Sequence, residues 1–561
     1  MLHTAAAQPP PGPALIVPQG SPIPRILPPG AVPVSPGLAV QPSVAVTPAN
    51  AGAAVTIREI AVDGVTAYPP AELLAGTGIK PGRMTIGDVE KARQGILHRY
   101  RGDTYLLTTV VAAIDPQGRL RFVVTEGRIA DVKLDSNIGP AGTQVLRFLN
   151  RLKDYRPIDT TTLERYLLLA QDVPGILLRA VLRPSADEPG ALSLVAQVQR
   201  ASISGLFTAD NRASTFTGPE QALAVLGLNS FSEYGEKTEI SLYRTFNNTQ
   251  LFGQVATEAF IGSDGLKLRV YAGSGTADPS GALRQQNYHG VTITGGFSVS
   301  YPIIRSRQQT LSVAGYLDVL ESHIDTGFAP NVALNTRDNL RILRLGADYA
   351  VQDQLFGSER GAINAVSVRV SRGVPILGSS RQGDPTAGRL PQNVDFTKVA
   401  IELQRTQTLF RLGEAGTIAL QGTVAGQYSG DVLPAAEKFY LGGQRFNRGY
   451  YSGQITGDTA LVGSVELQYN TGFTTALFGV PLEIGSQFYG FYDYGETWES
   501  QRRDANHRLN SAGGGVRLSI TQFTEFDVEG VSRMNRRPLG AAASATRLRS
   551  QAVYWRVVSR F

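Results

Sequence analysis

From about residue 201 onward, apolar and polar residues alternate along the chain, the period of a strand with two unlike faces. In residues 417–428, Ile418, Leu420, Gly422, Val424, Gly426 and Tyr428 form an apolar or glycine phase, and Thr417, Ala419, Gln421, Thr423, Ala425 and Gln427 form the other. Val399, Ile401 and Leu403 alternate with Lys398, Ala400, Glu402 and Gln404. Leu461, Val465, Leu467 and Tyr469 alternate with Ser464, Glu466, Gln468 and Asn470, and the residues around Val516, Leu518, Phe526 and Val528 do the same. Each stretch is about 9–11 residues, the length a tilted strand needs to cross a bilayer. A half-buried soluble sheet also alternates. Here the pattern persists over about 360 residues without helical stretches, and long polar, Gly-rich segments such as 373–391 alternate with short turns, which favours a membrane barrel. Val553, Trp555, Val557 and Phe561 share one phase and Tyr554, Arg556 and Arg560 the other, so an aromatic residue on the lipid-facing phase ends the chain. The reading is an all-β transmembrane barrel over 201–561. At about 20–24 residues per strand and turn, it has about 16 antiparallel strands.

Upstream the period changes to that of helices. Residues 54–127 read as a small α/β module. Val55, Ile57, Ile60 and Val62 predict a strand, and a short helix starts at Pro69-Pro70. A second helix is capped by Thr85 with Asp88 and carries Ile86, Val89, Ala92, Ile96, Leu97 and Tyr100 at helical spacing. Two strands follow, Thr104 to Ile114 and Arg119 to Thr125, joined by Asp115-Pro116-Gln117-Gly118. Residues 128–200 repeat the order. A strand from Ile129 to Leu134 precedes a helix bearing Val145, Phe148, Leu149 and Leu152. Next comes a helix capped by Thr161 with Glu164, then the strands Leu177 to Arg183 and Leu192 to Val198. Two successive β-α-α-β-β units form an internal repeat of about 75 residues.

Residues 1–53 differ from both. Thirteen of the first 50 are Pro, and Arg25 is their one charged residue, which reads as an extended tether without a good amphipathic helix. Ala5-Ala6-Ala7 before Gln8 resembles the end of a cleaved signal peptide, so the start is expected to lie close to a processing point.

Composition narrows the function. The chain has 561 residues, 42% hydrophobic and 18% charged, with mean hydropathy -0.08. No run of about 20 apolar residues is present, which excludes a helical membrane protein. No cysteine is present, which excludes disulfides and thiolate zinc sites. A net charge of +6 is small for this length and gives no reason to expect a nucleic-acid partner. His3, His98, His289, His323 and His507 are scattered, and no metalloprotease, P-loop or nucleophile-elbow motif occurs. The expectation is a non-enzyme without catalytic residues, metal or cofactor.

Two segments stand out. In the first, Gly442 and Gly443 precede Arg448-Gly449-Tyr450 between two long strands. In the second, Gly490-Phe491-Tyr492-Asp493-Tyr494 puts Gly490, Tyr492 and Tyr494 on one face and Phe491 and Asp493 on the other. A lumenal carboxylate can accept a guanidinium from a loop folded inward, a charge-assisted and often bidentate contact. Spacing alone favours an exposed Gly-rich loop and an ordinary lumenal Asp over such a pair.

These paired segments resemble the signatures of the Omp85 superfamily, in which an inward loop carries V-R-G-[YF] and its Arg meets an Asp on a nearby strand. More of the chain resembles its two-partner secretion branch, the TpsB transporters of the haemolysin-activator type. The resemblance is carried by Asp210-Asn211 with Thr217-Gly218, by Ser300-Tyr301-Pro302-Ile303-Ile304-Arg305-Ser306-Arg307, by Thr125-Glu126-Gly127-Arg128-Ile129, and by the repeated modules, which follow the pattern of periplasmic POTRA domains. Position 447 is Asn where the family usually has Val. The family often begins with a plug helix, which the Pro-rich segment does not resemble.

The resemblance implies an outer-membrane protein with its N-terminal modules in the periplasm, exporting a cognate TpsA-like exoprotein to the cell surface without ATP. It further implies contact with outer-membrane lipid and with the barrel-assembly machinery during biogenesis, and a monomeric pore. Gly442, Gly443, Arg448, Gly449 and Tyr450 become the functional loop, with Gly490, Phe491 and Asp493 as its lumenal partner and Phe561 as the C-terminal barrel signal. The alternatives are an Omp85-type insertion factor, an exporter of another client class, and a passive porin or adhesin barrel.

Overall fold

A computed structural model describes residues 20–27, 34, 50–185, 188–328, 332–477, 480–541 and 547–561. Ala5, Ala6, Ala7 and Gln8, read as a processing point, lie outside the described residues.

Among the described residues, sixteen strands close into one antiparallel barrel, from Ile203–Asp210 through to Gln551–Arg560, whose Arg556–Arg560 segment pairs back onto 206–210. The predicted phases hold. Ile401, Leu403, Leu420, Val424, Leu461, Val465 and Leu467 are exposed on the outer wall, while Gln427, Glu466 and Gln468 are buried inside. Period-two patterning forces this result, because a slip by one residue would exchange the lipid and lumen faces of a whole strand. Phe561 is 70% exposed at the seam. Its amide donates to the Gly205 carbonyl at 3.1 Å and its carbonyl accepts from the Gly205 amide at 2.8 Å.

The first N-terminal module has two small sheets. Ala54–Ile57 pairs with Gly82–Thr85. Glu59–Asp63 runs parallel to Arg119–Thr125, which also pairs with Thr109–Ile114. Thus Val55 and Ile57 belong to one strand, and Ile60 and Val62 to another. Helix Ile86–Gly102 starts in the expected capping box of Thr85 and Asp88 and buries Val89, Ala92, Ile96, Leu97 and Tyr100. The strand expected from Thr104 begins only at Thr109, because Thr104 has φ +70° and 104–108 form turns.

The second module repeats the order with Arg128–Leu134, helices Ala141–Asn150 and Thr160–Gln171, and strands Ile176–Pro184 and Ala191–Arg200. Its second helix is capped by Asp159, which accepts from the Thr162 amide at 2.8 Å, and not by Thr161. Glu164 is freed to accept from the Arg307 amide of the barrel at 3.1 Å. Phe260 of barrel strand Gln250–Ile261 is buried in this module's core, edge-on to Phe148 with centroids 5.1 Å apart. The segment 302–307 docks onto helix Thr160–Gln171. Arg165 donates to the carbonyls of Pro302 and Ile303, and Arg305 makes a two-pronged bond to Asp172 at 2.7 and 2.8 Å.

One described piece of the Pro-rich segment does not behave as an open tether. A single helical turn, Ile23–Ile26, lies inside the barrel, with Ile23 and Ile26 buried against the lumenal side chains Leu223, Tyr243 and Phe252. The Arg25 guanidinium carbon lies 5.6 Å from the Tyr440 ring centroid. Four residues are too short for a helical period to register in the sequence.

Candidate functional site

The loop joining Thr417–Tyr428 to Thr459–Leu477 starts at the end of the barrel opposite the modules and folds into the lumen. Within it, Phe439–Leu441 pairs with Ile455–Gly457, making a short hairpin that carries Arg448 near its tip. Gly442 and Gly443 both take positive φ, +96° and +99°. A Cβ on Gly442 would sit 2.1 Å from the Tyr451 carbonyl oxygen, so glycine is required there by space as well as conformation. The Gly443 amide donates to the Tyr450 carbonyl at 2.9 Å, and the Tyr450 amide to the Asn447 carbonyl at 3.0 Å.

This compact tip delivers Arg448 to the wall. Asp493 Oδ2 accepts from the Arg448 amide at 2.8 Å and from its Nε at 3.1 Å, and Oδ1 accepts from Nη2 at 3.0 Å. Nη1 pairs with Glu466, and Nη2 donates to Ser464 Oγ at 3.1 Å. Ser464 in turn donates to Asp493 at 2.6 Å. The guanidinium lies on the Phe491 ring, 3.7 Å from its centroid. Arg448 is 9% exposed and Asp493 1%, so this buried cation meets two carboxylates, a hydroxyl and an aromatic face.

The neighbours continue the pattern. Arg517 bonds Glu466 at 2.7 and 3.1 Å and lies 3.7 Å from the Tyr489 centroid. The Tyr489 hydroxyl lies 2.8 Å from Asp527 and 2.9 Å from Glu529, and Glu529 accepts from Arg212 at 2.7 Å. The rings lie flat because the next strand has no side chains beneath them. A Cβ at Gly513 would be 2.8 Å from the Phe491 ring, and one at Gly515 2.7 Å from the Tyr489 hydroxyl.

Gly449 and Tyr450 seal the tip. A Cβ at Gly449 would meet Ser511 Cβ at 2.4 Å, and its carbonyl accepts from Arg533 Nε at 2.5 Å and from the Tyr554 hydroxyl at 3.2 Å. Tyr450 is fully buried, its hydroxyl 2.7 and 3.0 Å from the carbonyl oxygens of Asn510 and Asn535. Asn447, the departure from the usual Val, has φ +54° and donates to the Leu509 carbonyl at 3.0 Å. Asn tolerates this left-handed conformation better than a β-branched residue.

The structure therefore brings Gly442, Gly443, Arg448, Gly449 and Tyr450 together with Phe491 and Asp493. Gly490 is a correction: it is exposed on the outer wall with Phe488 and Tyr492, because successive residues of a strand face opposite ways. Glu466, Ser464 and Arg517 belong to the site although no motif marked them. Their one sequence signal was membership of the polar phase of their strands.

Comparison with known proteins decides the family. The model of the haemolysin secretion/activation proteins ShlB/FhaC/HecB matches residues 191–518, more than half of the chain. The chain belongs to this family. It is 24% identical over 446 residues to the hemolysin transporter protein ShlB of Serratia marcescens, covering 76% of this chain and 75% of that one. Its fold is similar to CdiB from Escherichia coli, with TM-score 0.72 at 16% identity over 94% of both chains. CdiB from Acinetobacter baumannii gives TM-score 0.60 at 15% identity, over 91% of this chain and 90% of that one. BamA from Haemophilus ducreyi lacking POTRA domains 1–3 gives 0.52 at 12% identity, over 90% of this chain and 100% of that one. The chain is an outer-membrane β-barrel with its N-terminal modules in the periplasm, in a family of two-partner secretion transporters. The inward loop therefore enters the lumen from the cell-surface side.

Proposed function

We propose that this protein exports one cognate, large TpsA-like exoprotein of the adhesin or haemolysin type from periplasm to cell surface, without ATP, and that the inward loop sets whether the lumen conducts. The supporting observation is the Arg448 tip, which folds into the lumen and is bound to Asp493 and Glu466 on the wall. A passive pore has no need of two periplasmic modules. The client is a protein that folds outside into a β-helix, and this folding makes passage irreversible.

The modules capture the unfolded client. Thr109–Ile114 is an edge strand of the first module's sheet, and an edge offers unpaired N–H and C=O groups to an extended segment. Val111 and Val123, cross-strand partners exposed at 60% and 39%, give that edge an apolar neighbour. The turn Ile23–Ile26 occupies lumen space that the client must take, so it leaves when the client enters.

The test is export by co-expression of this protein with a large TpsA-like exoprotein, quantified outside the cell. Export that requires the transporter supports the reading. Export that is unchanged without it contradicts the reading and turns attention to barrel assembly, measured in a depletion strain.

A further inference from the structure

Arg389 lies in the long surface loop between strands Ala362–Gly373 and Thr397–Arg411, away from the Arg448 tip. Its Nη1 donates to Asp458 Oδ1 at 2.6 Å and to the Leu433 carbonyl at 2.9 Å. Its Nη2 reaches Asp458 Oδ2 at 3.0 Å, Glu499 at 2.8 Å and Asp504 at 3.0 Å. Glu499 also accepts from Lys438 Nζ at 2.6 Å. The side chains of Asp458, Glu499 and Lys438 are 0%, 4% and 5% exposed, and that of Arg389 12%.

Arg389 and its partners lie on three different loops. Arg389 is on one. Leu433, Lys438 and Asp458 lie on the stems of the inward loop, Lys438 just before its hairpin and Asp458 just before the next wall strand. Glu499 and Asp504 are on the loop after Val480–Trp498. Asp458 is further fixed by the Leu433 amide at 3.0 Å and the Ser500 amide at 2.9 Å. Beside the charges, Val394 and Phe396 of the Arg389 loop bury Leu433 against Leu340 and Ile342 of the wall. Asn393 donates from its backbone to the Val432 carbonyl at 2.8 Å and from its side chain to Asp431 at 2.8 Å.

We infer that Arg389 is the keystone of a second latch, on the surface side, that clasps three loops over the lumen and must open for the client to leave. The inward loop is then held at two depths, its tip by Asp493 and Glu466 and its stems by the Arg389 clasp. A single guanidinium reading five acceptors is suited to this work. Its removal leaves three carboxylates facing one remaining cation, Lys438, so the same change that breaks the clasp drives the loops apart.

The inference rests on the export reading for its purpose, but its test needs no client and can fail while export stands. Full-length protein would be inserted into planar lipid bilayers and its conductance recorded, with heat-modifiable gel mobility verifying a folded barrel. Arg389→Ala is expected to raise open-state occupancy about tenfold, the effect of losing one buried charge-assisted contact. The double variant Asn393→Cys with Asp431→Cys gives an independent reading, since the chain has no native cysteine to compete. Oxidised, it is expected to stay closed; reduced, it is expected to open at least as often as wild type, since the Asn393–Asp431 contact is lost. Wild-type closure in a folded Arg389→Ala barrel would overturn the latch, and so would an oxidised double variant that conducts as freely as the reduced one.

Discussion

The periplasmic modules and the barrel interior bury side chains in opposite ways. Each module hides an apolar core, Ile96, Tyr100, Leu120 and Phe122 in the first and Phe148, Leu149, Leu152 and Leu194 in the second. The lumen, beside small apolar clusters, hides many charges: Arg212, Arg448, Glu466, Asp493, Glu529 and Arg533 are all 9% exposed or less. The difference follows from what holds each part together. A module folds in water and depends on apolar burial. A barrel is held by its closed ladder of strands in lipid, so its inside is free to carry polar groups. Charges in the lumen are thus available for work, because the fold does not rest on them.

That contrast can be broken by substitution. In the module, Leu149→Ala is expected to cost about 2–5 kcal/mol and to make the second module protease-sensitive while the barrel keeps its heat-resistant mobility. In the lumen, Glu466→Gln is expected to leave both barrel and modules folded and to lower export about tenfold, because it weakens Arg448 and Arg517 together. A Glu466→Gln barrel that fails to assemble would erase the distinction between the two regions.

The boundary between the regions is sharper still. Arg305→Ala removes the two-pronged bond to Asp172 but leaves Phe260 in the module core. It is expected to loosen docking by about 1–3 kcal/mol and to broaden spin-label distances between the second module and the barrel, with little change in either melting behaviour.

The smallest effect concerns pH. Burial pushes the Glu126 carboxyl up, but hydrogen bonds from the Thr66 and Tyr100 hydroxyls and from the Thr66 and Ala67 amides outweigh it and hold the group below the ordinary Glu value. A depressed carboxyl stabilises fully above its unfolded value, about 4.3, and loses that contribution as pH falls through the folded one. The first module's melting temperature should therefore drop on going from pH 6 to pH 3.5, and drop less in Glu126→Gln.

The sequence reveals these features unevenly. The strands and their faces are legible because period-two patterning fixes which residues meet lipid. The partners inside the lumen are not. Alternation places Glu466 inward, but only the register that sets Ser464 opposite Asp493 and Glu466 opposite Phe491 brings it to Arg448. Arg448 and Asp493 themselves are paired by resemblance, 45 residues apart, and not by spacing. The motif groups Gly490 with Asp493, although the pleat turns Gly490 outward. Asp159 outcompetes Thr161 as a cap because it sits at the extended residue just before the first helical turn, where its carboxylate reaches the Thr162 amide. The docking of segment 302–307 on the second module is invisible locally, since Arg305 and Asp172 are 133 residues apart.

The central claim is that the bond between loop tip and wall governs export, and a double-mutant cycle tests it most directly. Export of the cognate exoprotein would be measured for Arg448→Ala, Asp493→Ala and the pair, each with a folded barrel. The account predicts that each single change lowers export at least about tenfold and that the pair does little further harm, because both remove the same contact. Normal export by folded Arg448→Ala, or losses that multiply in the double variant, would contradict it.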